Sequence, residues 1–140
     1  MKTAVITKGS VSVFLLAAFI FIFAAPSILP QNQKTDIDPR FINNLNVGIE
    51  SSNEGLRKSC IYFTGLYMLK ECVPTLIEQL KKEEIADVKI LIALSLYRIG
   101  DENGMKAVEK LSMYDENAKV RKMGNAILTE FENNKRYTSN

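Results

Sequence analysis

The sequence contains no histidine and no tryptophan, and only two cysteines. Without histidine the commonest general base and the commonest metal ligand are missing. Two cysteines are too few for a disulfide-built scaffold. Stretches of alternating apolar and polar residues are missing too, which removes the main signature of half-buried strands. Charge of one sign is also in short supply. Of the 18 Lys and Arg residues two, Lys2 and Lys8, precede residue 28, and the remainder balances the 16 acidic residues. A near-neutral domain lacks the electrostatic footprint that nucleic acid or an anionic membrane surface requires.

What is present begins with an N-terminal leader. Residues 1–10 carry Lys2 and Lys8 and no acid, and Val11 to Ala25 carry no charge at all. A basic start, an apolar middle and small residues at the exit make a secretory signal. Ala25-Pro26-Ser27 places small residues at −3 and −1 for a cut after Ser27. This reading gives a signal peptide over 1–27, a linker over 28–38, and an exported protein of the periplasm or the extracellular space. The alternative is a retained anchor over 11–29: the apolar run from Val11 to Leu29 is about 19 residues long, close to the ~20 that span a bilayer. No cysteine follows the apolar run, so a lipoprotein anchor finds no support.

Beyond the leader the chain repeats itself. Leu56-Arg57-Lys58, Val88-Lys89-Ile90 and Val120-Arg121-Lys122 begin three segments at a constant period of 32 residues. Further along each segment the ninth position holds Thr64, Leu96 and Leu128, and the twelfth holds Tyr67, Ile99 and Phe131. Recurrence at this spacing puts apolar side chains on one helical face. Turn and cap residues precede each start: Ser51 to Gly55, then Asp87 as an expected N-cap, then Asp115-Glu116-Asn117. Gly100 follows Ile99 as a helix stop. Between these segments lie second helices, one opened by Val73-Pro74 and one from about Met105 to Met113, and Asp38-Pro39 signals an earlier helix. The pattern predicts six helices over about 39–50, 54–68, 72–83, 88–99, 104–113 and 117–133, with a tail over 134–140. Hairpins of this length cannot bury both faces alone, so stacked copies must share a core.

Val88 to Asp101 (VKILIALSLYRIGD) resembles the short HEAT-like repeat of the phycobilisome-lyase type, whose first helix runs V-R-x-A-A-A-x-A-L-x-x-I-G-D. Cys72 to Leu80 (CVPTLIEQL) is similar to the second helix of that repeat. The resemblance covers residues 40–133. It implies an all-α solenoid of antiparallel helix hairpins over 39–133, and a binding scaffold rather than a set chemistry.

The candidate sites follow from that expectation. Cys60 and Cys72 are expected as buried free thiols: eight residues of helix separate them by roughly 12 Å, beyond the ~7 Å that a disulfide allows between Cα atoms. Arg57, Lys89 and Arg121 share one position in all three repeats. They read either as a basic stripe or, as favoured here, as a ladder of cations that cap loop carbonyls or pair with loop acids such as Glu54, Asp87 and Glu116. Tyr62, Tyr67, Tyr97 and Tyr114 read as packing aromatics rather than a binding surface. Lys81-Lys82-Glu83-Glu84 reads as a solvated helix end. Second helices form the inner face of such solenoids, so the resemblance puts the partner surface there: Thr75, Glu78, Gln79 and Lys82 on one helix, with Lys106, Glu109 and Lys110 on the next. No catalytic, cofactor-binding or metal-ligating set stands out, since no nucleophile and base occur at motif spacing. The expected function is a non-enzymatic protein–protein scaffold or adaptor of the cell envelope, without nucleic acid as partner. A membrane-tethered assembly subunit follows if the leader is retained, and a lyase-like module is the remaining alternative.

Overall fold

The computed structural model describes residues 37–138. The expected signal peptide 1–27, the alternative anchor 11–29 and most of the expected linker lie outside the described residues. Within them the chain is all-helical: α1 (Pro39–Ile49), α2 (Glu54–Leu66), a 3-10 turn (Lys70–Cys72), α3 (Val73–Lys82), α4 (Ala86–Ile99), α5 (Glu102–Tyr114) and α6 (Ala118–Thr138). No strand occurs among the described residues, and none of their helices is long and apolar enough to cross a membrane.

The helix starts have local causes. Asp38 accepts from the Arg40 amide and Pro39 opens α1. Asn53 Oδ1 accepts from the Leu56 amide at 3.0 Å, and Asp101 Oδ1 accepts from Asn103 at 2.9 Å and Gly104 at 3.1 Å. That cap turns Asn103-Gly104, a dipeptide suited to hairpin turns, into the first turn of α5. Asn117 Oδ1 accepts from the Lys119 amide at 2.9 Å to open α6. Such caps satisfy amides that have no partner inside the helix.

Several boundaries differ from the sequence expectation, among them the end of α2, at Leu66 rather than 68, and the start of α5, at Glu102 rather than 104. Asp87 is not the N-cap of α4: the helix starts at Ala86, Ile85 takes the cap position, and Asp87 lies in the first turn. The cause is Glu83, whose Oε1 already accepts the Ile85 amide at 3.1 Å and turns the chain two residues earlier. The last helix continues through residues 134–138, most of the expected tail. The first hairpin carries a 3-10 turn ahead of α3. A left-handed residue follows both α2 and α4 at the same repeat position, directly after α4 and two residues after α2. Gly100 takes a left-handed φ of 70°, and Met68, one 32-residue period earlier, takes 51°. A side chain in that conformation costs about 1–2 kcal/mol.

The helices pack in two rows. In one, α2 lies against α4 and α4 against α6; in the other, α1 meets α3 and α3 meets α5; α1 on α2, α4 on α5 and α5 on α6 join the rows. Between them lies one apolar core, in which Ile49, Ile61, Leu76, Val88, Ile92, Leu96, Val108 and Val120 are fully buried. Each such side chain contributes about 1.5–3 kcal/mol when removed from water. The α2–α4 crossing is close because Gly65 has no side chain: a Cβ there would stand 2.8 Å from the Ser95 Cα. Ser95 uses the approach to donate to the Ile61 carbonyl at 2.9 Å.

Candidate partner-binding face

Arg57 and Arg121 cap loop carbonyls, as the ladder reading expects, while Arg57 and Lys89 pair with other acids than those expected. Arg57 Nε donates to Glu83 Oε2 at 2.8 Å, and its Nη1 donates to the Ser51 carbonyl at 2.7 Å. Lys89 Nζ donates to Asp115 Oδ2 at 2.6 Å. Arg121 Nη1 donates to the carbonyls of Asp115 at 2.6 Å and Glu116 at 2.9 Å. Each acid stands at the end of the second helix of its own hairpin, 26 residues after its cation. Glu54 instead pairs with Lys58 within α2, and Asp87 with Lys119 at 2.8 Å across to α6. These cations are therefore used inside the protein.

Glu83 is not a solvated helix end; it is 6% exposed. Besides Arg57 it accepts from Gln79 Nε2 at 3.0 Å and from the Ile85 amide. Burial pushes its carboxyl up, but those three donors together outweigh burial and hold it below the usual carboxylate range. Asp115 follows the same pattern. Burial raises it, and the Lys89 ammonium, the Asn117 amide and the Arg121 charge bring it below its ordinary value.

Gln79 is thereby removed from the expected partner face: it is buried, and its amide serves Glu83. Thr75 is half-buried. Glu78 is exposed and bonded to Lys81 at 2.6 Å, which holds its carboxyl low, and Lys82 is exposed with Glu50 at 3.7 Å. Lys106, Glu109 and Lys110 are exposed on α5.

Between α3 and α5 runs an open groove of about 510 Å³. Ile77 and Leu80 from α3, with Ala107 and Leu111 from α5, give it apolar walls. Lys81, Lys89, Lys106 and Lys110 line it with positive charge, and Tyr114 and Asp115 close one end. Two of the expected face residues, Lys106 and Lys110, belong to it. Lys81, Lys89 and Tyr114 were missed. The short α3, whose last turn carries Lys81, was a readable signal for the first.

The tyrosines correct a second expectation. Tyr114 is 78% exposed, and Tyr62 and Tyr67 are about half exposed. Tyr67 stacks with Phe63, and Phe41 meets Tyr67 edge-on, so α1 and the end of α2 carry an aromatic cluster at the surface. α2 begins its row and has a row neighbour on one side only, which leaves these rings uncovered. Tyr97 alone packs as expected, edge-on to Phe131.

Cys60 and Cys72 are free and buried. Burial pushes both thiols up. Among the described residues no group of three or more Cys, Asp and Glu is placed to hold a metal ion. No family model matches the chain, and a search of curated proteins finds no match.

Proposed function

We propose that this chain is a non-enzymatic protein–protein scaffold of the cell envelope, built as a short solenoid of HEAT-like helix hairpins. The solenoid reading is supported by the constant 32-residue period, by the two rows of helices, and by the 26-residue offset shared by the Arg57–Glu83 and Lys89–Asp115 pairs. Stacked repeats bring equivalent positions into register, and that is what a repeated ion pair requires. The lack of histidine in the whole chain supports a binding role over catalysis.

One observation carries the functional reading: the groove between α3 and α5, on the row that contains the second helices. Open grooves with apolar walls and a charged rim suit partner segments. The basic, apolar leader supports export, with the bound partner then in the periplasm or outside the cell. A tethered assembly subunit is the companion reading, because the run from Val11 to Leu29 is about long enough to span a bilayer.

The test is affinity capture of the exported protein, side by side with a variant carrying Lys106→Glu and Lys110→Glu. A protein retained by the parent and lost from the variant supports the scaffold reading. Retention of the same proteins by both places binding elsewhere. The mature N-terminus, read by mass spectrometry, separates the two locations: a start near Ile28 or Gln31 means cleavage, and Met1 in the membrane fraction means tethering.

A further inference from the structure

The groove has an uneven charge balance that selects its occupant. Lys89 is neutralised by Asp115 at 2.6 Å. Lys81 is neutralised by Glu78, which sits in an adjoining hollow beside Asp101. Lys106 and Lys110 have no ion pair or hydrogen bond among the described residues, although Glu102 and Glu109 lie on the same helix. Two ammonium groups therefore stand over apolar walls with their charge unanswered.

Their spacing is informative. Lys106 and Lys110 are one turn apart on α5, so their Cα atoms differ by about 6 Å along the axis. Carboxylates two residues apart on an extended segment are separated by roughly 7 Å, and carboxylates four residues apart on a helix by about 6 Å. Either arrangement presents two acids to the two lysines while apolar side chains enter between Ile77, Leu80, Ala107 and Leu111. A cationic segment would meet the two unanswered lysines, Lys106 and Lys110, and a purely apolar one would leave those two charges partly desolvated without partners.

We propose that the groove binds an acidic amphipathic segment of another protein, with carboxylates on Lys106 and Lys110 and apolar side chains on the α3–α5 walls. This rests on the scaffold reading of the same groove and adds the partner's chemistry to it.

The test uses three fluorescein-labelled peptides and fluorescence anisotropy: one of alternating Leu and Glu, one with Gln for every Glu, and one with Lys for every Glu. The Leu-Glu peptide should bind, the Gln and Lys peptides should bind at least about tenfold more weakly, and affinity should fall as salt screens the exposed charges. The Lys106→Glu/Lys110→Glu variant should lose the Leu-Glu peptide by a similar factor. A variant with the same charge change elsewhere, Arg98→Glu/Lys122→Glu, should keep it. Equal binding of the Leu-Glu and Leu-Gln peptides would overturn the acidic assignment and leave a groove that takes apolar segments. Binding of no peptide, with a natural partner still captured through Lys106 and Lys110, would overturn the acidic-segment proposal but not the scaffold. Loss from both double variants alike would show general charge attraction and overturn the site.

Discussion

Arg57 on α2 and Glu83 at the end of α3 form a buried ion pair, 2.8 Å from Nε to Oε2, with side chains 10% and 3% exposed. The pair closes the first hairpin at its open end. Glu83 in turn fixes Ile85 and so the start of α4. Removing one partner from such a pair leaves a buried charge alone, at a cost of about 3–5 kcal/mol. Arg57→Met should lose that much in urea denaturation. Lys119→Met breaks the exposed pair with Asp87, which is worth at most about 1 kcal/mol. Similar losses from the two variants would mean that Arg57 is not a structural element.

The two paired carboxylates, Glu83 and Asp115, set an acid limit. Glu83 and Asp115 both titrate below their ordinary values in the folded protein. Their contribution is therefore complete above the unfolded carboxylate range, near pH 4–4.5. It is lost as pH falls through the lower folded-state values. Urea stability should hold from neutral pH down to about 5 and drop below that. Glu83→Gln should be clearly less stable than the parent at pH 7, and the gap should close as the pH falls toward 3. A gap that is constant with pH would contradict the paired carboxylate.

Much of this fold was legible because it is local. Period, caps and Gly100 are properties of short segments, and they place six helices within a few residues. The acids chosen by Arg57 and Lys89 were not legible. They lie 26 residues away, and whether Glu54 or Glu83 wins depends on how the hairpin closes. Gln79 illustrates the consequence. Its position on α3 points to an outer face, but the buried Glu83 carboxylate draws its amide inward. Lys106 and Lys110 were legible as surface residues of a second helix, whereas Lys89 was assigned to the ladder and also lines the groove. Tyr62, Tyr67 and Tyr114 read from sequence as packing side chains because helical spacing cannot tell an end helix from a middle one.

If the helices form the open solenoid proposed above, position in the stack governs the cost of core truncation. Leu96 is fully buried on α4, which has α2 on one side and α6 on the other; Leu128 is half-buried on α6. Leu96→Ala should cost about 2–5 kcal/mol, a large part of the ~5–15 kcal/mol available to such a domain. Leu128→Ala should cost less, since an end helix relaxes. Urea melts that show an equal or larger loss at Leu128 would mean that α6 is part of a globular core and not the end of an open stack.

The thiols report on the same core. Cys60 packs against Gly48, and Cys72 is fully shielded. Since the thiolate is the reactive form and burial raises both thiols, labelling by a maleimide at pH 7 should be slow in the folded protein. It should accelerate only as urea unfolds it. Rapid labelling of either cysteine without denaturant would contradict the packing of α1 on α2 or of the 3-10 turn.

The proposed role puts the meeting of this chain with another protein in the α3–α5 groove. A photo-crosslinking amino acid placed at Ala107 inside the groove, and separately at Asn125 on the exposed side of α6, tests it in the cell of origin. Position 107 should give a discrete covalent adduct with another protein, and position 125 none of that size. The same adduct from both positions, or an adduct from 125 alone, would contradict it.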